Sequence, residues 1–303
     1  MRGRVHGVVG GVYRVVTASG EELEASLRGR LKQEAKAEGK VVVGDWVRVK
    51  SDQGREGTGT IEEVEPRHSR VVRRGPGGRH PKVVAANVDR LLAVVAAARP
   101  DPRPRLLDRL LVVGEVNDLE TLLVMNKMDL GNGKADAIVA LYREIGYPVL
   151  ETSAVTGEGL DRLKAVLCSG TSALVGPSGA GKSSLLNALQ PGLNLRTGAL
   201  SRRKGRGRHT TVSGRLIHLE CGGLVVDTPG FSDAGVWGAE PRDLESCFPE
   251  FRDHREACRF RGCSHLHEPG CGVRGALEEG LIHPERFRSY QALVEEVKEG
   301  EAW

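Results

Sequence analysis

No long apolar run exists in the 303-residue sequence; the longest, Leu91 to Ala98, falls far short of the roughly 20 residues that a bilayer-spanning helix needs. The opening MRGRVHGVVGG lacks the apolar core and cleavage pattern of a secretory leader. The expectation is therefore a cytoplasmic protein with no membrane partner. Cysteine is scarce as well: six in this length are too few for a disulfide scaffold. Three of them crowd between residues 258 and 271, which suggests metal ligation in a reducing compartment. The other three, Cys168, Cys221 and Cys247, read as ordinary buried thiols. No internal repeat of useful period is visible. Net charge is small too, only +4, which leaves the placement of the charge as the informative feature.

That placement is uneven. Residues 1–82 carry 17 Lys/Arg against 11 Asp/Glu, and RRKGRGR, Arg202 to Arg208, holds five basic residues in seven positions. Local excess of this kind favours a polyanionic partner, because each cation that neutralises a phosphate releases counterions; a merely solvated surface is the alternative. The 39% hydrophobic content is enough to bury real cores, and the length suggests two or three domains.

Residues 4–72 read as short β segments with Gly punctuation, as in VHGVVGGVYRVVT and VVVGDWVRVK. Short strands without helical periodicity suggest a small barrel, OB-like or SH3-like, either of which commonly binds nucleic acid or protein. The next ten residues, RRGPGGRHPK (73–82), read as a linker or mobile loop. From Val88 onward strand and helix patterns alternate, with DRLLAVVAAA, LETLLVMNK, PVLET and SALVG as strands, which predicts a parallel sheet with crossover helices. GRLIHLE and GLVVDTPG follow as two more strands, and a Cys/His-rich then helical segment ends the chain.

GPSGAGKS fits Gly-x-x-x-x-Gly-Lys-Ser directly after a strand and before a helix. In that context the backbone of Gly176, Pro177, Ser178, Gly179, Ala180 and Gly181 cradles phosphates, Lys182 reaches the terminal phosphates, Ser183 offers a hydroxyl to Mg²⁺, and Ser184 continues the helix N-terminus. DTPG, Asp227 to Gly230, supplies a carboxylate for Mg²⁺ and the Gly230 N–H for a γ-phosphate. NKMD supplies the base choice: Asp129 accepts from guanine's ring N–H and amine, while Asn126 and Lys127 brace the neighbouring loops and Met128 joins them to Asp129. Adenine would leave that carboxylate unpaired. TSA, with Ser153 and Ala154, would pack its backbone against guanine O6. An ordinary GTPase places the phosphate loop before the base motif, whereas here NKMD lies about fifty residues upstream of it. Such a rotation of chain order leaves every strand in place, because domain termini usually lie close together at the surface.

Cys258-x4-Cys263-x-His265-x5-Cys271 offers the Cys₃His set suited to one structural Zn²⁺, with His267 as an alternative ligand to His265.

In its permuted order NKMD, TSA, GPSGAGKS, GRHTT, DTPGF and in its Cys/His knuckle, the whole chain resembles the circularly permuted, small-ribosomal-subunit-dependent GTPases of the RsgA/YjeQ type. The resemblance implies an OB-fold-like RNA-binding barrel at 1–72, a circularly permuted α/β P-loop GTPase domain at 83–235 and a mostly helical zinc-binding domain at 236–303. It further implies a monomer that hydrolyses GTP to GDP, binds the small ribosomal subunit and its rRNA in late maturation, and is stimulated by that subunit. The rivals are a GTP-gated RNA-binding module with incidental hydrolysis and a general RNA-dependent NTPase. Val212 stands where the family often has a third Thr, which leaves open whether Thr210 or Thr211 meets Mg²⁺. Phe231 occupies the place where Ras-like enzymes put a water-orienting Gln. His209 is the candidate to reach the attacking water instead, with an rRNA contact as its alternative role.

Overall fold

A computed structural model describes residues 1–29, 31, 41–52, 55–74, 81–195, 214–227 and 242–301. Strands β1 (Arg2–Val9), β2 (Val12–Thr17), β3 (Glu22–Leu27), β4 (Trp46–Ser51) and β5 (Thr58–Val64) form the N-terminal unit. In β3 the residues Leu23, Ala25 and Leu27 are buried while Glu22, Glu24 and Ser26 are exposed, the period of two that a half-buried strand imposes. The strands run in the order β1-β2-β3-β5-β4, β4 returns to β1, and the β3–β5 pair is parallel. This is the expected small barrel in its OB-like form. Val5, Val15, Leu23, Val47 and Ile61 fill it.

Strands β6 (Arg70–Arg74) and β7 (Pro81–Ala86) pair as an antiparallel hairpin, with Arg73 opposite Lys82 and Arg74 opposite Pro81. The segment 73–82 is therefore not a plain linker: its Gly/Pro-rich centre conceals strand ends that pair with each other.

The second unit runs β8 (Arg90–Ala96), α1 (Pro104–Val116), β9 (Glu120–Asn126), α2 (Gly133–Ile145), β10 (Val149–Glu151), α3 (Leu160–Cys168), β11 (Thr171–Val175), α4 (Lys182–Leu189), β12 (Arg215–His218) and β13 (Leu224–Asp227). Its strand order is β10-β9-β8-β11-β13-β12, parallel except for β12. Strand β8 alternates between two cores: Leu91, Ala93 and Val95 face one, Leu92 and Val94 the other. Burial on both faces explains its near-continuous apolar run. Strand β1 pairs with the edge strand β12, Gly7 opposite Arg215, so the barrel and the mostly parallel sheet form one eleven-stranded sheet.

The C-terminal unit contains a one-turn helix Arg252–Arg255, α5 (Gly272–Glu278) and α6 (Pro284–Glu301). Phe248, Phe251, Phe287 and Tyr290 pack together with ring centroids 5.0–6.2 Å apart. Arg286, only 1% exposed, donates to Asp108 of α1 (2.6 Å) and to Glu250 (2.6 and 3.0 Å). A buried charge of this kind is costly unless paired, so α6 is locked to α1 by the need to satisfy it.

One expectation about cysteine is overturned. Cys168 and Cys221 are disulfide-bonded, with Cα atoms 5.6 Å apart, while Cys247 is the buried thiol that was expected. The cause is tertiary: the turn between β12 and β13 is laid against the end of α3, where a Cβ on Gly223 would meet the Leu167 carbonyl at 2.0 Å.

Candidate functional site: a nucleotide cradle and a metal centre

The phosphate loop leaves the C-terminal end of β11, which lies between β8 and β13, and enters α4 at Lys182. Ligands of open α/β sheets bind at such strand ends. Gly176 (φ +146°) passes so close to β8 that a Cβ would meet the Val94 carbonyl at 2.0 Å, and on Gly181 (φ +95°) one would meet the Asn126 amide at 2.2 Å. Only glycine serves at either position. Lys182 donates to the carbonyls of Gly176 (2.6 Å) and Pro177 (3.0 Å). Burial pushes its ammonium pKa down, and the nearby Asp227 carboxylate opposes that shift. In this position the ammonium rests on the loop that would otherwise hold phosphates.

The base motif is fastened to this loop. Asn126, 1% exposed at the end of β9, donates from Nδ2 to the Ala180 carbonyl over 2.9 Å. Lys127 adopts positive φ (63°) and donates to the Arg99 carbonyl. Met128 N–H donates to the Thr152 carbonyl (3.1 Å), and Ser153 Oγ donates to Asp129 Oδ1 (2.6 Å). Thus NKMD and TSA meet as one surface, with Asp129 exposed and Ala154 half-buried beside it. Ser178 and Gly179 are exposed at the loop's crest; Ser183 and Ser184 are half-buried at the start of α4.

Asp227 closes β13, in parallel register with Leu174 of β11, and lies 3.4 Å from the Arg215 guanidinium. Ser183 and Asp227 are hard oxygen donors of the type Mg²⁺ takes. His209, Thr210, Thr211, Gly230, Phe231 and the RRKGRGR segment lie outside the described residues.

Cys258, Cys263, His265 and Cys271 bring their ligand atoms within 4.8 Å of one another, so the cluster can hold a metal ion. Cys258 Sγ is 3.6 Å from His265 Nδ1 and 3.9 Å from Cys271 Sγ, which is 3.3 Å from the same Nδ1. A tetrahedral zinc with its usual bond lengths requires separations of about 3.5–3.8 Å. Burial pushes the Cys263 thiol up to about 12, so a cation is what would let these sulfurs ionise together. His267 is exposed and stands outside the cluster, whereas His265 is buried within it. Glu245 accepts from His265 Nε2 at 2.5 Å, leaving Nδ1 for a metal, the usual outer partner of a ligating imidazole. Sequence reasoning passed over Glu245, because a lone glutamate 20 residues from its histidine has no spacing signal.

A glycine-rich loop on a central strand, fastened to a base-reading motif that precedes it in the chain, defines a circularly permuted P-loop GTPase. The chain belongs to the RsgA GTPase family, which it matches over residues 64–237, with an RsgA N-terminal domain over residues 2–59. It is 50% identical over 290 residues to "Small ribosomal subunit biogenesis GTPase RsgA" of Gemmatimonas aurantiaca, covering 95% of this chain and 94% of that one. The Moorella thermoacetica protein of the same name is 43% identical over 288 residues, covering 95% and 94%. Among solved structures, YjeQ from Thermotoga maritima superposes with a TM-score of 0.79 at 36% identity, covering 98% of both chains. YloQ, described as a circularly permuted GTPase, gives 0.71 at 31%, covering 98% of this chain and 95% of its own.

Proposed function

We propose that this chain binds GTP, docks on the small ribosomal subunit and its rRNA late in the subunit's maturation, and hydrolyses GTP to GDP when the subunit stimulates it. The observation that carries the proposal is the joint between the Asn126 amide and the Ala180 carbonyl, which fixes a guanine-reading loop to a phosphate loop in one frame. The partner follows from the names of relatives up to 50% identical along nearly the whole chain, small ribosomal subunit biogenesis GTPases.

Asp129 would read guanine's N–H groups, with the Ser153–Ala154 backbone at O6. Lys182 would leave the Gly176 and Pro177 carbonyls for the terminal phosphates, joined by the backbone from Gly176 to Ser184 and by Gly230 N–H. Ser183, Asp227 and one of Thr210 and Thr211 would hold Mg²⁺, which when bound neutralises developing phosphate charge. Phe231 cannot orient water, so the unaided rate is slow, and His209 would reach the attacking water in the complex with the small subunit. His209→Ala then removes most of the stimulated rate and spares GTP affinity and subunit binding; loss of binding as well would make His209 an rRNA contact. One zinc ion on the Cys₃His cluster would fold the C-terminal unit. The chain would act as a cytoplasmic monomer.

The test is GTP turnover by the full chain with and without purified small subunits, against equal masses of large subunits and unstructured RNA. Strong stimulation by small subunits alone is expected. Equal stimulation by any RNA would make the chain a general RNA-dependent NTPase; none at all would leave a GTP-gated binding module.

A further inference from the structure

Phe260 is the only aromatic side chain among the described residues that is exposed, at 46%. The C-terminal unit does not lack a core to receive it: Phe248, Phe251 and Phe287 are all buried nearby in sequence. A single exposed apolar residue needs no explanation by itself; what surrounds this one does. Phe260 sits in the four-residue loop Arg259-Phe260-Arg261-Gly262, whose two flanking residues are the cluster cysteines Cys258 and Cys263. The loop is held at its first residue as well. Arg259 N–H donates to the Gly270 carbonyl over 2.9 Å, and a Cβ on Gly270 would come within 3.2 Å of Arg259 Cβ. From that anchored stem the Arg259 guanidinium lies over the Phe260 ring, 5.5 Å from its centroid. The ring is thus carried on a short loop fixed at its base, with a cation stacked on it.

Of the arginines around it, Arg252 pairs with Glu115 at 3.6 Å; the three nearest in sequence, Arg255, Arg259 and Arg261, are exposed and do not pair with a carboxylate among the described residues. Between residues 252 and 274 five arginines stand with three acids, and one of those acids, Glu268, is occupied by the backbone and hydroxyl of Ser264. An exposed ring flanked by unpaired guanidiniums matches one chemistry best: an unpaired nucleobase stacked on the ring, with its own phosphates on the arginines. An acidic protein segment would satisfy the arginines and leave the ring without a flat partner.

We infer that the Cys258–Cys263 loop is a base-stacking finger, in which Phe260 receives one unpaired base of RNA and Arg259 and Arg261 clamp the adjoining phosphates. This rests on the small subunit being the partner and adds a contact that neither the GTP site nor the barrel supplies. The loop's fixed ends mean that little ordering is needed at the moment of binding.

The test uses the full zinc-containing chain with a non-hydrolysable GTP analogue, and compares Phe260→Ala, Phe260→Leu and Phe260→Tyr for affinity to purified small subunits. Because Phe260 is exposed, all three fold, and equal zinc content verifies it. Loss of one stacked base weakens binding roughly five- to hundredfold, so the Ala and Leu variants fall by that factor while Tyr binds as the parent does. Leu binding as tightly as Phe would overturn stacking in favour of a plain apolar contact. Parent-like binding by Ala would overturn the finger altogether, and subunit-stimulated GTP turnover in the same preparation would show that the proposed function still stands. A parent chain that fails to bind small subunits would overturn both.

Discussion

The side-chain amide of Asn126 donates to the backbone carbonyl of Ala180 across 54 positions of sequence, 2.9 Å apart and buried. It crosses from the base motif to the phosphate loop, and it does so although the two occur in reversed order along the chain. Asn126→Ala would leave the Ala180 carbonyl unpaired in a buried place, a loss of about 1–3 kcal/mol. Thermal unfolding with and without GDP should show a lower midpoint and a smaller gain from the nucleotide; an unchanged nucleotide gain would mean that the joint does not shape the cradle.

The Cys₃His cluster should bind one zinc ion per chain. Cys258→Ser should lower metal content and unfold the surrounding knuckle while leaving GDP affinity largely intact. Glu245→Gln should keep the ligands and weaken metal affinity about 10- to 100-fold, since the carboxylate orients His265. Competition with a chelator measures both, and parent-like metal affinity in Glu245→Gln would deny the carboxylate that role.

The Cys168–Cys221 bond closes a loop of 53 residues, for which chain entropy gives about 4 kcal/mol, with 2–4 kcal/mol as the usual range. Cys221→Ser should lower the urea midpoint correspondingly without altering the zinc content. Equal midpoints for variant and oxidised parent would show that the bond adds nothing to stability.

At the junction of barrel and GTPase sheet, His6 and His218 stack with nitrogens 3.0 Å apart and ring centroids 4.4 Å apart. Burial, then the neighbouring His218, Arg4 and Arg14, holds the His6 pKa down to about 4, against a weaker pull from Glu22. Burial also lowers His218. A folded value below the unfolded 6.5 means that the unfolded chain takes up the proton first. The stabilising contribution is full above pH 6.5 and is lost as pH falls toward 4. His6→Asn should flatten stability against pH in that window by on the order of 1–2 kcal/mol; an unaltered slope would mean that other groups carry it.

Local motifs were legible because their chemistry is confined to a few consecutive residues. GPSGAGKS needs only its strand and helix, and Cys258, Cys263, His265 and Cys271 fall within one short loop region. Relations between distant residues were not. Arg286 and Asp108 are separated by 178 positions, and nothing near either announces the other. The same holds for Cys168 with Cys221 and for the β1–β12 pairing, which depend on how whole elements pack. The hairpin ends at Arg74 and Pro81 were obscured for a different reason: Gly and Pro signal a turn strongly and say little about the strands it joins.

The central claim is that the base loop at Asp129 and the phosphate loop at Lys182 act as one guanine site under the subunit's control. Asp129→Asn tests it in a single measurement, because xanthine's C2 carbonyl accepts where guanine's amine donates. Turnover of XTP and GTP by this variant should be followed with and without purified small subunits. The account predicts subunit-stimulated hydrolysis of XTP, with GTP affinity down by roughly tenfold or more from the mismatched contact. Undiminished GTP affinity, or XTP turnover that small subunits fail to stimulate, would contradict it.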